Sequence, residues 1–224
     1  MKTLHPNRPL LIAIDGPAAS GKGTLARRLA EHLGCIYLDT GKLYRAVGVK
    51  LISSGADVDS AADFDSDAAL QAISIAKTLR PSELFSLSLN DEGTGKAASL
   101  VAAIPDVRSA LLTLQKECAA DTQGAVLDGR DIGTVVCPNA DVKFFITADI
   151  ETRTRRRFKE LQKTDKSIIY ESVLQDLQRR DARDSSRQTA PLKIAEDAIV
   201  IDTTTMNMEQ VFEKVLTAVL SSAS

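Results

Sequence analysis

The 224-residue sequence contains too few cysteines and histidines to build the sites that usually depend on them. Cys35, Cys118 and Cys137 are odd in number and far apart, which fits neither a disulfide framework nor the paired spacing of a zinc site. The two histidines, His5 and His32, do not belong to any plausible catalytic group. We therefore expect reduced cysteines used for packing, and chemistry that does not depend on histidine.

Long hydrophobic runs and a strong net charge are also missing. No stretch approaches the roughly 18 consecutive apolar residues that a membrane span needs, and residues 1–9 are too short and polar for a signal peptide. With a net charge of −2, the chain as a whole lacks the excess of positive charge that is typical of nucleic-acid-binding proteins. Residues 151–187 are locally basic, with 11 Lys and Arg against 7 Asp and Glu, but interleaved acids and scarce aromatics argue against RNA or DNA binding there. We expect a cytoplasmic monomer that binds neither membrane nor nucleic acid.

Short apolar runs alternate with helical patterns along the chain. The runs are apolar throughout rather than alternating, which is typical of a parallel sheet covered on both faces. They are Leu10–Ile14, Cys35–Leu38, Ala125–Leu127, Val142–Thr147 and Ala198–Ile201. The helical patterns fall at 42–52, 105–120, 150–162, 169–183 and 207–220, the last with a capping box in Asn207 and Gln210. The sequence thus predicts an α/β fold.

Two segments interrupt this alternation. Residues 53–97 are polar and resemble an insertion, with a weakly alternating stretch at 84–89 and a turn-prone run at 90–95 that favour a small antiparallel unit. Residues 162–167 form a charged link between two Arg-rich helices, the composition of a mobile flap. We predict one domain with its core at 10–55, 98–162 and 184–224, an insertion at about 56–97 and a lid at about 163–183.

The strongest motif is a phosphate-binding loop between the first strand and the first helix. Its residues fit Gly-x-x-x-x-Gly-Lys. They are Gly16, Pro17, Ala18, Ala19, Ser20, Gly21, Lys22, Gly23 and Thr24. Glycines let the backbone N–H groups turn toward phosphate oxygens, the helix N-terminus adds partial positive charge and the lysine adds a full one. A nucleoside triphosphate is the predicted ligand, with its terminal phosphoryl group passed to a small acceptor.

One departure from the general loop pattern is informative. Gly23 stands where Ser or Thr usually follows the lysine, and the hydroxyl comes one place later at Thr24. The form Gly-Lys-Gly-Thr is typical of nucleoside monophosphate kinases. It also weakens the usual assignment of this hydroxyl to Mg²⁺, so that Thr24 is a candidate for phosphate contact instead.

Three later segments resemble the signatures of the bacterial cytidylate kinase family. They are Leu38–Arg45, Leu127–Val136 and Arg180–Arg187 followed by Ala190-Pro191-Leu192. The resemblance extends in register from about Ile12 to the C-terminal helix. It implies a P-loop kinase fold of three layers with a five-stranded parallel sheet and a lid, and transfer of the ATP γ-phosphoryl group to CMP or dCMP with Mg²⁺. A phosphate oxygen is an adequate nucleophile, so the enzyme needs positioning and charge rather than a strong base.

The resemblance also implies where the acceptor nucleotide binds, and it makes the insertion at about 56–97 the acceptor-binding part of the domain. The implied residues are Thr40, Tyr44, Arg45, Ser99, Arg108, Arg130, Asp131, Asp184 and Arg187. Among them Arg45 and Arg130 are expected to hold the phosphate, because a planar guanidinium grips two oxygens at once. Ser99, Arg108, Asp131 and Arg187 are expected to read cytosine, and Asp184 the ribose.

Donor binding and catalysis are expected to rest on cations. Lys22 is the first candidate, and Arg130 is a catalytic as well as an acceptor candidate. Arg153, Arg157 and Arg180 are the lid-side candidates, with Arg156 sharing the helical face of Arg153 and Arg157 at three- and four-residue spacing. The sequence leaves open which of Arg153, Arg156 and Arg157 reaches phosphate. Asp128, and less so Asp15, are candidates to hold Mg²⁺ through water at the ends of strands.

The loop motif also occurs in two other classes of protein. A kinase for adenylate, guanylate, uridylate or shikimate would share the loop, but is not expected to carry Asp-Gly-Arg-Asp and Arg-Asp-x-Arg-Asp at these places. A GTPase-like switch is suggested only faintly by residues 162–165, which follow a helix rather than a buried strand.

Overall fold

The computed structural model describes residues 9–56, 66–80, 83–84 and 92–222. Its contacts divide the chain into two units, one made of Met1–Asp39 with Lys116–Ser224 and the other of Thr40–Gln115. The five strands predicted for the parallel sheet all form, and they lie in the first unit.

The first unit is built on a five-stranded parallel sheet. Its strands are β1 Leu11–Asp15, β2 Ile36–Asp39, β3 Ala125–Gly129, β4 Val142–Thr147 and β5 Ile199–Asp202. Their spatial order is β2-β3-β1-β4-β5, and every neighbouring pair is parallel. The chain leaves β1 in one direction to β2 and later returns to pair β4 on the other side. Such a reversal of strand order opens a crevice at the carboxyl ends of the strands, where α/β proteins bind ligands.

The sequence expectation of a sheet buried on both faces holds for the inner strands only. β1, β3 and β4 are buried almost throughout, whereas β2 is half-buried and β5 exposes Ile199 and Val200. The reason is position: an edge strand has a neighbour on one side only, so the covering helices extend less far over it.

Helix α1, Lys22–Leu33, packs on one face of the sheet beside the C-terminal helix α8, Met208–Ser222. Leu25 and Leu29 of α1 are fully buried with Val215 of α8 and the inner strands. Each such leucine contributes about 2 kcal/mol by leaving water. Gly34 ends α1 in the left-handed conformation, with φ of 70°, which glycine adopts readily at the end of a helix.

The predicted capping box of α8 is present. The backbone N–H of Asn207 donates to Oε1 of Gln210 at 3.0 Å, and the N–H of Gln210 donates to Oδ1 of Asn207 at 2.9 Å. Two donors that the helix leaves unpaired are thereby satisfied. Two helices come between β4 and β5, α6 at Ile150–Leu161 and α7 at Tyr170–Ser186, joined by the charged link expected there.

The second unit is helical in the residues described. It contains α2 Thr40–Ser53, α3 Ser66–Thr78, α4 Glu92–Val101 and α5 Pro105–Ala119, the last of which runs on into the first unit. A Cβ on Gly48 of α2 would lie 2.7 Å from that of Ala97, so glycine allows α2 and α4 to approach closely. The bounds of α2 and α5 agree with the sequence within two residues.

The segment 53–97 differs from its sequence interpretation. The described parts are the helices α3 and α4 and a short turn at 83–84 rather than strands. Residues 92–95 were expected to form a turn but make the first turn of α4, because packing against α2 outweighs the turn propensity of Gly93 and Gly95. The alternating stretch from residue 85 onward lies outside the described residues.

No single helix in the described ranges is long and apolar enough to cross a membrane. Only the pair Thr94–Val101 and Pro105–Ala119, bent by 101°, passes such a test together, on length and composition alone. The three cysteines are free, as expected. His32 packs edge-on against Phe212, whereas His5 lies outside the described residues.

Candidate active site

The phosphate-binding loop connects β1 to α1 at the crevice. Gly16 has φ of 152°, and a Cβ there would overlap the backbone carbonyl of Ile146 on β4. Gly21 caps α1 with φ of 93°. Both are conformations that glycine adopts without strain, so the loop path depends on these two residues. Ala19, at φ of 58°, is a non-glycine residue in the left-handed region.

Two polar side chains of the loop are buried. The Oγ of Ser20 has no hydrogen-bond partner among the described residues, and the residue is 1% exposed. The Nζ of Lys22 donates to the carbonyl of Pro17 at 3.2 Å. In any α-helix the first N–H groups point out of the N-terminus, which here follows the loop directly. A buried hydroxyl, a lysine and a helix N-terminus in one place suit an anion with several oxygens. Thr24, by contrast, is exposed on the first turn of α1.

The environment of Lys22 gathers charges from three parts of the chain. Burial and the nearby guanidinium groups of Arg130 and Arg180 lower the pKa of this lysine to about 7, against the pull of Asp128 and Asp39. Lys22, Arg130 and Arg180, the cations predicted to be catalytic, therefore lie close enough for both guanidinium groups to influence the lysine. A polyanion bound among them would relieve this repulsion.

Asp128 faces the first turn of α1. Burial, and secondly the charge of Asp39, raise the pKa of its carboxyl to about 6. Its Oδ1 accepts a hydrogen bond from the Tyr37 hydroxyl at 2.9 Å. Its Oδ2 lies 3.6 Å from where a Cβ of Gly23 would be, so this carboxylate is next to the residue that follows the lysine.

Tyr37 and Asp39 were missed by the sequence analysis. The register of the parallel sheet pairs Asp39 of β2 with Asp128 of β3, although 89 positions separate them along the chain. The available signal was the carboxylate at the end of a second predicted strand, because parallel strands end at the same edge.

The carboxylate of Asp15, the other metal candidate, accepts two hydrogen bonds from the backbone. Its Oδ1 accepts the N–H of Ile132 at 2.8 Å and its Oδ2 the N–H of Gly133 at 2.7 Å. It thereby anchors the short π-helical turn Ile132–Val136 after β3. Burial raises the pKa of Asp15 to about 6 in spite of these two donors. The described residues contain no group of three or more His, Cys, Asp or Glu side chains that could hold a metal ion.

Several acceptor-site candidates meet between β3 and α7. The Nε of Arg130 donates to Oδ2 of Asp184 at 2.8 Å. Burial by itself would raise the pKa of Asp184, but Arg130, Arg180 and Arg187 outweigh it and hold that pKa below its usual range. Asp131 is buried next to Arg130 and begins the π-helical turn.

The three arginines that share a face of α6 take different partners. Arg153 is buried, donates to the carbonyls of Ala148 at 2.9 Å and Ala18 at 3.3 Å, and pairs with Asp181. Arg156 donates to the carbonyl of Ser20 at 3.1 Å and to Thr203. Helical spacing does not say which residues a helix face contacts, so the sequence alone assigns no partner to Arg156.

Arg157 differs from the other two arginines because its ion-pair partner is an exposed side chain. It pairs at 3.0 Å with Glu160, whose side chain is 63% exposed. A pair of this kind on the surface contributes less than about 1 kcal/mol, so this guanidinium is readily redirected.

The remaining acceptor-site candidates lie in the second unit. Thr40 begins α2 and is buried, as are Tyr44 on α2 and Ser99 on α4. The guanidinium of Arg108 on α5 lies 5.3 Å from the ring centre of Tyr44 and donates to the Ala102 carbonyl at 3.3 Å. Arg45 follows Tyr44 on α2 and is half-buried.

Comparison with known proteins gives consistent matches. A family model described as cytidylate kinase matches residues 12–221. The chain is 55% identical over 205 residues to a cytidylate kinase of Rhodospirillum rubrum, covering 90% of this chain and 92% of that one. It is 50% identical over 210 residues to a cytidylate kinase of Azorhizobium caulinodans, covering 94% and 98%.

Solved structures resemble the fold at low sequence identity. A gluconokinase from Sinorhizobium meliloti superposes with a TM-score of 0.53 at 13% identity, covering 97% of this chain and 95% of the other. An uncharacterized protein from Eubacterium ventriosum gives a TM-score of 0.53 at 14% identity, covering 96% and 99%. At these identities the likeness concerns the fold alone.

Proposed function

The chain belongs to the cytidylate kinase family, and from that premise we propose that it transfers the γ-phosphoryl group of ATP to CMP or dCMP. A phosphate oxygen of the acceptor forms a bond to the γ-phosphorus as the bond from that phosphorus to the β-phosphate bridging oxygen breaks. The products are ADP and CDP or dCDP. The observation that carries this proposal is the phosphate-binding loop, whose buried Ser20 hydroxyl and Lys22 lie at the N-terminus of α1, with Arg130 and Arg180 near enough to influence the lysine.

For the donor, we propose that the loop from Gly16 to Thr24 holds the ATP phosphates. The buried hydroxyl of Ser20 and the helix N-terminus at Lys22 fit phosphate oxygens. Lys22 balances the charge that develops as the γ-phosphoryl group moves. Arg157 is the proposed lid arginine, because its surface ion pair costs little to exchange for a phosphate. Arg153 supports the loop from outside, through the carbonyl of Ala18.

For the acceptor, we propose that Arg130 and Arg45 hold the CMP phosphate. The guanidinium of Arg130 is oriented by Asp184 and shares the electrostatic environment of Lys22. Ser99, Arg108, Asp131 and Arg187 would pair with cytosine, Asp184 with the ribose, and Thr40 and Tyr44 would complete the site. Buried polar groups of this kind reject a base that leaves them unpaired.

No described histidine belongs to this cluster, and none is required. A nucleotide phosphate is already ionised near neutral pH, so the chain's task is to align two repelling anions and to exclude water. Lys22, Arg130 and Arg180 supply the positive charge for that alignment.

Mg²⁺ is the expected companion of ATP, and Asp128 is the residue that fits it. Asp128 faces α1 beside a glycine, while both oxygens of Asp15 accept backbone N–H groups. Mg²⁺ usually keeps several waters and takes only one or two protein carboxylates, so a single strand-end aspartate suits it. When bound, the ion would neutralise charge on the β- and γ-phosphates. We also propose a cytoplasmic monomer that serves pyrimidine nucleotide metabolism and binds no nucleic acid, in keeping with the small net charge.

An acceptor panel tests the function. With ATP and Mg²⁺, formation of ADP in a coupled assay should respond to CMP and dCMP far better than to UMP, AMP or GMP. Comparable rates with AMP would contradict the assignment. The same panel without added acceptor measures ATP hydrolysis, which water exclusion should keep low.

A further inference from the structure

Asp181 belongs to the Arg-Asp-x-Arg-Asp segment of α7 but has no role in the site as described. It follows Arg180 directly and precedes Asp184 by three residues. Its Oδ2 forms an ion pair with NH1 of Arg153, at a distance of 2.6 Å. The helix that carries the acceptor-site residues Asp184 and Arg187 is thus tied to Arg153 on α6.

The same guanidinium also reaches the donor loop. NH1 of Arg153 donates to the carbonyl of Ala18 at 3.3 Å, and its Nε donates to the carbonyl of Ala148 at 2.9 Å. One side chain, 7% exposed, therefore joins α7, the phosphate-binding loop and the end of β4. A planar guanidinium with five donors in a fixed fork holds its three partners in a defined relation, which a flexible ammonium does not.

Apolar contacts reinforce this connection. Ala18 of the loop lies in one buried cluster with Leu161 of α6 and with Val173 and Leu177 of α7. Val173, Leu177 and Asp181 follow one another at four-residue spacing, so they share the face of α7 that meets the loop. Apolar packing tolerates small sliding, whereas the ion pair at the end of this row fixes where α7 stands along the loop.

We propose that Asp181 is a positioning residue that couples the two nucleotide sites by holding α7 to the phosphate-binding loop through Arg153. Donor phosphates order the loop, the loop carbonyl orders Arg153, and Arg153 holds α7 where Asp184 orients Arg130. Binding of either nucleotide then strengthens binding of the other by the same factor, because coupling is reciprocal. This inference rests on the proposed function, since it takes CMP as the acceptor and ATP as the donor.

Calorimetry tests the coupling without turnover. The affinity for CMP is measured with and without a β,γ-methylene analogue of ATP. For the unmodified chain the analogue should tighten CMP binding about fivefold or more. Asp181→Asn should bring that factor close to one, and Asp181→Glu, which keeps the charge, should restore part of it.

Asp176→Asn is the matched control. Asp176 lies on the same helix, pairs with Arg179 at 3.9 Å on the exposed side and loses the same charge, so this variant should keep the full coupling factor. If Asp181→Asn does not fold, as judged by circular dichroism and thermal unfolding, Arg153→Lys takes its place and should lower the factor in the same way.

The possible failures are distinguishable. A wild-type chain that phosphorylates CMP without coupling, or an Asp181→Asn variant that keeps the wild-type factor, would overturn the inference and leave the function standing. Absence of CMP phosphorylation by the wild-type chain would instead count against the proposed function.

Discussion

Arg130 and Asp184 form a buried ion pair of 2.8 Å that joins the end of β3 to α7. Both partners are acceptor-site candidates, and the ion pair fixes the orientation of the Arg130 guanidinium relative to Asp184. Asp184 is 4% exposed at its side chain and Arg130 14%. A pair so far from water is costly to break, because the partner left behind keeps an uncompensated charge.

Asp184→Asn should therefore destabilise the fold by about 3 kcal/mol at neutral pH. Urea unfolding measures this. Glu209→Gln is the control, since Glu209 pairs at 2.7 Å with Arg28 and both side chains are exposed, so its loss should cost much less than that of Asp184. Equal losses in the two variants would mean that burial does not decide the strength of these pairs.

The contribution of Asp184 should also depend on pH. Its pKa is lowered in the folded protein, so its ion pairs stabilise the fold above the ordinary carboxyl pKa of 3.8 and are lost as pH falls through the folded-state value. The stability difference between wild type and Asp184→Asn should be constant from pH 8 to about 5 and shrink below about 4. A difference that grows on acidification would contradict the sign.

Lys22→Met should lower kcat by about a hundredfold or more while the fold remains intact. Methionine keeps most of the aliphatic volume and removes the charge. Lys143→Met is the matched control, because Lys143 is equally buried and its Nζ also donates to a proline carbonyl, that of Pro138 at 2.6 Å. The control should lose stability but keep its turnover number. An unchanged kcat in Lys22→Met would remove the lysine from catalysis.

Gly16→Ala should destabilise the protein by about 3 kcal/mol or more and abolish nucleotide binding. The added Cβ meets the backbone carbonyl of Ile146, which has no rotamer to escape into. Gly34→Ala has the same positive sign of φ, at 70°, but meets nothing within 4 Å, so its cost should be only about 1 kcal/mol. Urea unfolding and ADP binding separate the two effects.

Arg187→Ala and Arg157→Ala should separate the two substrates. Arg187 follows the last residue of α7, near Asp184, and is proposed to pair with cytosine, so its loss should raise the KM for CMP more than the KM for ATP. Arg157 is proposed to reach the donor phosphates, so its loss should do the reverse. Initial rates measured over a grid of CMP and ATP concentrations give both KM values. If Arg187→Ala raised mainly the KM for ATP and Arg157→Ala mainly the KM for CMP, both residues would have to be reassigned.

Much of the architecture was predictable because it depends on local patterns. The sheet strands, the loop with its helix, the glycine cap at Gly34 and the capping box of Asn207 and Gln210 all follow from residues close together in sequence. Residues 92–95 were the failure. Their glycines favour a turn in isolation, but contact with α2 makes them helical.

By itself the sequence determined the phosphate-binding loop, the parallel sheet and membership in a family of nucleotide kinases, since motif order and apolar periodicity are properties of the chain. Only the tertiary structure decided which partners each charged residue takes. By helical spacing Arg153, Arg156 and Arg157 are equivalent. In the structure Arg153 contacts Ala18 and Asp181, Arg156 contacts Ser20, and Arg157 contacts Glu160. Asp39 lies beside Asp128 because parallel strands bring together residues that are distant in sequence.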